Sequence, residues 1–100
     1  MILVLSYGSA ALAAPPGVLS PCAGCHALNG VKKKVAGPPL AGLYGAKPLK
    51  AGIKVARWDD ASLNRFLWNP EKVDPTTRMF FKVRDDKRRA EIIIAMKALK

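Results

Sequence analysis

The sequence predicts a small all-α domain in which a few helices are joined by irregular loops. Two stretches in its second half carry apolar residues at helical spacing behind acidic starts. No stretch reads as a credible strand. Eight Gly and eight Pro in 100 residues make turns and loops plentiful.

One hundred residues suffice for one domain and not for two. Half of them are hydrophobic and 24% are charged, which excludes a disordered tail. The size leaves little room for a catalytic machine of several residues with its own substrate pocket. A bound prosthetic group would supply apolar surface that so short a chain lacks. Charge divides the chain sharply. Residues 1–31 carry no Lys, Arg, Asp or Glu, and the rest hold all the charge, with a formal net of +10.

Ile2 to Ala14 is an apolar run as long as a signal-peptide core. It falls short of the roughly 20 apolar residues that a membrane-spanning helix needs. Ala11-Leu12-Ala13-Ala14 offers the small residues at which a leader is cleaved, although no Lys or Arg precedes the run. Residues 1–14 are expected to be a signal peptide or its remnant, against the alternative of an N-terminal core helix, and residues 15–100 the folded domain. Pro15-Pro16-Gly17 ends the segment in either case.

The only two cysteines and the only histidine follow as Cys22-Ala23-Gly24-Cys25-His26. Three chemistries compete for this motif. A thiol–disulfide redox pair wants a preceding strand and a βαβ pattern, which the sequence lacks. A structural zinc site wants four ligands, and a Cys/His-only tetrahedron cannot close here. The third is covalent haem, with both thiols added to the vinyl groups and the adjacent His on the iron. An iron held by His and used for electron transfer takes a sixth ligand, and Met sulfur raises its potential. Met96 falls in a helical stretch and Met1 is the initiator. Met79 lies in Pro75-Thr76-Thr77-Arg78-Met79-Phe80-Phe81, outside any helical pattern, where an irregular backbone can point it inward.

Between these motifs, Gly37-Pro38-Pro39 and Gly42 to Gly45 predict an irregular loop with close backbone approach. Trp58-Asp59-Asp60 opens a helix with Asp59 as N-cap, and Leu63, Phe66 and Leu67 form its apolar stripe. Asn69-Pro70 stops it. A second helix begins near Asp85-Asp86, buries Ile92, Ile93, Met96 and Leu99, and ends on Lys97 and Lys100, where cations suit the helix dipole.

Taken together, Cys22 to His26, Gly37-Pro38-Pro39-Leu40-Ala41-Gly42-Leu43-Tyr44-Gly45, Trp58, Asn69-Pro70, Pro75 to Phe81 and Arg89 to Lys97 resemble the class I cytochromes c. These are small soluble electron carriers with a His/Met-ligated haem, related to the mitochondrial protein. The resemblance covers about Cys22 to Lys100. It implies a small cytochrome c fold, helices and Ω-type loops wrapped around one covalently attached haem c. It also implies thioethers at Cys22 and Cys25, and iron ligation by His26 and Met79. The Pro38 carbonyl would accept the other ring N–H of His26. Trp58 would hydrogen-bond one haem propionate, Thr77 would sit beside Met79 and another, and Leu40, Leu43 and Phe81 would wall the haem. The chain departs from the family in several places. Pro15 to Pro21 is too short and proline-rich for the family's first helix. Ala46 stands where the family has an Arg. The loop from Gly45 to Trp58 is shorter, and Phe66 stands where a Tyr often bonds the Met sulfur.

The basic residues fall in clusters: Lys32-Lys33-Lys34, the set Lys72, Arg78, Lys82 and Arg84 around Met79, and Lys87-Arg88-Arg89. Such clusters suit a solvated surface, and they suit nucleic acid. No helix-turn-helix, RNP-like or zinc-finger pattern accompanies them. Cations ringing Met79 fit docking on acidic patches of redox proteins, and also fit association with a membrane surface. The expected function is one-electron transfer between larger redox proteins in the periplasm, by a monomer that transforms no substrate and binds no nucleic acid. The alternatives are a basic nucleic-acid- or anion-binding module with an incidental CxxCH, and a truncated cytochrome that no longer functions.

Overall fold

The computed structural model describes residues 14–28 and 37–99. The expected leader up to Ala13, the run Lys32-Lys33-Lys34, and Lys100 lie outside them. Among the described residues there is no strand. The regular elements among the described residues are one 3-10 turn, Ser20–Cys22, and three helices: α1 at Asp60–Trp68, α2 at Pro70–Val73 and α3 at Asp86–Ala98. None of these helices is long and apolar enough to cross a membrane.

Helix α1 starts where the sequence predicts. Asp59 accepts the Ser62 N–H at 2.8 Å, and the Ser62 hydroxyl accepts the Asp59 N–H at 2.9 Å. This reciprocal cap satisfies two donors that the first turn would otherwise leave bare. Leu63 and Leu67 turn inward and are buried, and Phe66 packs partly against them. The helix ends at Asn69, held extended at φ −155° and ψ 92° by the proline that follows.

That proline does more than stop a helix. With φ already fixed and no N–H to place, Pro70 sits at the first position of α2, which the sequence reading did not anticipate. Beyond α2 the chain runs without regular structure from Asp74 to Asp85. It returns to α1 near its end, where the Val83 N–H donates to the Leu67 carbonyl at 2.8 Å.

Helix α3 buries Ile92, Ile93 and Met96 against α1, with Leu99 partly covered. Its start corrects one expectation. Arg89 belongs to a basic run read as surface, yet it is only 5% exposed. It donates to Asn64 on α1 at 2.7 Å and to the Val83 carbonyl at 2.9 Å, and it pairs with Asp86. A buried guanidinium needs such partners, since an unpaired one would cost several kcal/mol.

The loops close over this helix pair. The segment from Pro15 to Pro21 forms turns and the 3-10 turn, and Leu19 and Val18 reach the core from it. The Gly42 N–H donates to the Leu99 carbonyl at 3.1 Å, which pins the 37–45 loop to the end of α3. Gly42 and Gly45 have φ of +77° and +86°, a conformation that side chains resist. Two further bonds, Gly45 N–H to the Trp58 carbonyl at 2.6 Å and Trp58 N–H to the Ala46 carbonyl at 2.9 Å, clip that loop to the residue just before α1. Leu19, Leu40, Trp58, Leu63, Leu67, Val73, Val83, Ile92, Ile93 and Met96 form one core cluster.

Candidate functional site

The 3-10 turn delivers Cys22 onto the core. The Cys25 and His26 N–H groups both donate to the Cys22 carbonyl, at 3.1 and 2.9 Å, so the whole motif is one tight turn. Both thiols are free; Cys22 packs partly against the core and Cys25 is exposed. Burial pushes the Cys22 thiol up, and the Arg88 charge offsets part of that.

His26 is oriented from across the loop. Its Nδ1 lies 2.7 Å from the Pro38 carbonyl oxygen. A carbonyl can only accept, so Nδ1 carries a proton, and in the neutral ring the lone pair falls on Nε2. The backbone supports this contact on both sides. The Gly37 N–H donates to the Cys25 carbonyl at 2.6 Å and the Leu40 N–H to the Ala27 carbonyl at 2.9 Å. The imidazole lies against Gly37 so closely that a Cβ there would fall 2.9 Å from Nε2 and nearer still to Cε1 and Nδ1. Any side chain at residue 37 must displace the ring.

Among the described residues no three His, Cys, Asp or Glu side chains gather where they could share a metal ion. Thioether sulfur is a further soft donor outside that set. Met96 is committed to the core at 3% exposure. Met79 is half-buried on the edge of the same cluster, in the loop between α2 and α3. Its N–H donates to the Thr77 hydroxyl oxygen at 3.1 Å, which leaves the hydroxyl proton of Thr77 free to donate elsewhere.

The apolar residues anticipated around this chemistry are largely together. Leu40 and Trp58 are buried, Leu43 and Phe66 partly so, and the Trp58 and Phe66 rings meet edge to face at 5.3 Å between centroids. Phe81 stands apart at 44% exposure, beside Phe80 at 70%.

The cations around Met79 are not spread as a simple ring. Arg84 lies 4.1 Å and Lys72 5.6 Å from the Trp68 ring centre, and Lys82 pairs with Glu71 at 3.7 Å. Arg57 donates to the Gly45 carbonyl at 3.1 Å, so a guanidinium stands beside Ala46 although residue 46 itself supplies none.

Two features escaped the sequence reading. Tyr44 donates to Asp60, which also pairs with Lys97 at 3.0 Å, and this trio joins the 37–45 loop to both long helices. Asp74, only 2% exposed, lies under the turn that leads to Met79. Asp-Pro-Thr is itself a turn signature and was the available signal.

The chain is 36% identical over 77 residues to cytochrome c2 iso-2 of Magnetospirillum fulvum, covering 68% of this chain and 78% of that one. Against cytochrome c of Euglena viridis the identity is 40% over 75 residues, covering 74% and 71%. Among solved structures, cytochrome cH from Methylobacterium extorquens matches with a TM-score of 0.65 and 32% identity, over 81% of this chain and 91% of that one. No protein-family model matches the sequence.

Proposed function

Because the chain belongs to the class I c-type cytochromes, electron carriers with one covalently attached haem c, we propose that Cys22, Cys25, His26 and Met79 hold that haem. The observation that carries this is the 2.7 Å contact from His26 Nδ1 to the Pro38 carbonyl. It engages one ring nitrogen with the backbone and leaves Nε2 as the nitrogen available to a metal, in a fixed ring plane.

The rest of the donor set fits the group. Two unpaired thiols share one turn with His26, one facing the core and one facing out. Met79 brings a half-buried sulfur from a different loop. When bound, the haem supplies an iron centre that gains and loses one electron. The protein's part is to tether, orient and shield. The two thioethers of Cys22 and Cys25 tether the haem irreversibly to the turn. The Pro38 bond raises the basicity of His26 and stops its ring from rotating. Met79 sulfur is a soft donor that favours the reduced state. Leu40 and Leu43 would shield the haem from water, with Phe81 at the exposed rim, and Trp58 and Thr77 would supply donors for its propionates.

The carrier acts as a monomer in the periplasm and transforms no substrate. Net charge of +10 supports docking on redox proteins with acidic patches, and Arg78, Lys72 and Arg84 stand close to Met79 in the chain. A membrane surface is a second setting for the same charge. The basic-module alternative loses ground to the cytochrome c2 and cytochrome c relatives, which align along 68% and 74% of the chain. The truncated-cytochrome alternative loses ground to the closed core, which Leu19 and Leu40 complete from the loop side.

Haem staining on a denaturing gel tests the assignment. Expressed with haem-attachment machinery, the wild-type chain retains stain after acid-acetone extraction. The Cys22→Ala/Cys25→Ala double variant retains none. Stain that persists in the double variant contradicts covalent attachment at these positions.

A further inference from the structure

Asp74 is buried more completely than any other carboxylate described in this basic chain. A carboxylate taken out of water must have its oxygens satisfied. Here Oδ1 accepts the Thr76 N–H at 3.0 Å and the Thr76 hydroxyl at 2.8 Å, and Oδ2 accepts the Lys50 ammonium at 3.0 Å. Burial alone would raise its pKa, but the bonds from Thr76 and Lys50 outweigh it and hold the carboxyl below the usual range.

The backbone of Asp74 is equally occupied. Its N–H closes α2 on the Pro70 carbonyl at 2.9 Å, and its carbonyl accepts the Thr77 N–H at 3.0 Å. Thr77 in turn holds the Met79 N–H at 3.1 Å. A continuous relay thus runs from Lys50 in one loop, through Asp74 at the end of α2, to Met79. No helix or strand fixes the backbone from Pro75 to Phe81, so these bonds are what set its path.

We infer that Asp74 is the positioning residue for the distal sulfur: its carboxylate locks the turn that aims Met79 at the iron. The inference rests on the reading of Met79 as distal ligand. Iron–thioether bonds are weak enough that the time a Met spends in place depends on how well its loop is held.

The test uses the holoprotein and three readouts. These are the weak sulfur-to-iron band at the red edge of the oxidised spectrum, the reduction potential, and the pH midpoint at which that band disappears on alkaline titration. Asp74→Ala leaves the haem attached but increases the Met-off fraction by about tenfold, the scale of one charge-assisted bond, read as a midpoint about one pH unit lower and a lower potential. Asp74→Asn keeps an acceptor for Thr76 and lies between it and wild type. Lys50→Met, which removes only the ammonium, shifts the midpoint in the same direction by less. A merely structural role would lower the melting temperature and leave band, midpoint and potential unchanged. An Asp74→Ala protein that folds and keeps all three at wild-type values overturns the inference. Should Asp74→Ala fail to fold, an unchanged midpoint in both Asp74→Asn and Lys50→Met overturns it. A wild-type band that survives Met79→Ala overturns the Met79 assignment itself, a distinguishable failure.

Discussion

Helices α1 and α3 meet through Leu63, Leu67, Ile92, Ile93 and Met96, each exposed by 6% or less. The loops that carry Cys22, His26 and Met79 contribute fewer buried side chains and are held in place by individual hydrogen bonds: His26 to Pro38, Gly37 to Cys25, Leu40 to Ala27, and Met79 to Thr77. The helical contact is redundant, because many side chains share it and any one can be trimmed at a bounded cost. The loop contacts are not redundant, because each fixes one functional group. Stability and function therefore have different points of failure.

The largest expected effect follows from the Gly37–His26 contact. Gly37→Ala forces the imidazole from its place, because its Cβ would overlap the ring. It should abolish or severely reduce the yield of six-coordinate haem protein, measured by the oxidised spectrum per attached haem. Gly52→Ala is the control: nothing lies within 4 Å of its new Cβ, and its spectrum should match wild type. Equal behaviour of the two variants would remove the claim that the loop contact is specific.

A core truncation probes the other half. Ile92, 2% exposed, should cost about 2–5 kcal/mol on replacement by Ala, measured by urea unfolding of the holoprotein. In the native baseline its visible spectrum should remain that of wild type. A lost or shifted charge-transfer band in folded Ile92→Ala would mean that the helix contact also sets the iron ligation.

The helices were legible because their signals are local. Asp59 as N-cap, the Leu63/Phe66/Leu67 stripe and the acidic start at Asp85-Asp86 are all read within one or two turns. Leu19, Arg89 and Asp74 were not legible in that way. Arg89 draws one of its partners, Asn64, from 25 residues earlier, and Asp74 draws Lys50 from 24 residues earlier. Helix α2 was missed because Pro70 reads as a stop, whereas a proline is equally suited to a first helical position. Of the site, the CxxCH turn and the loop Met stood out as residue types at known spacing. The route by which Met79 is held did not, since it depends on long-range partners.

The smallest predicted effect concerns the cap of α1. The hydrogen bond from the Ser62 N–H holds the Asp59 carboxyl below its usual range. Its folded pKa is therefore lower than its unfolded pKa. The stability it contributes is fully present above the unfolded value, near 3.9 by reference, and is lost as pH falls through the folded one. Asp59→Asn keeps a capping oxygen, so it should match wild type near neutral pH and lose slightly less stability below about pH 4. Urea midpoints at neutral and acid pH measure this. A steeper acid loss in Asp59→Asn than in wild type would contradict the assigned sign.

The central claim is that a loop sulfur, not a helix sulfur, completes the iron coordination. The direct measurement is the weak red-edge band of the oxidised holoprotein in Met79→Ala and Met96→Ala. Met79→Ala should lose the band and lower the reduction potential, because a harder ligand or water replaces the thioether. Met96→Ala should be less stable, since it empties a core position at 3% exposure, but keep both band and potential. Loss of the band in Met96→Ala with its retention in Met79→Ala would contradict the account.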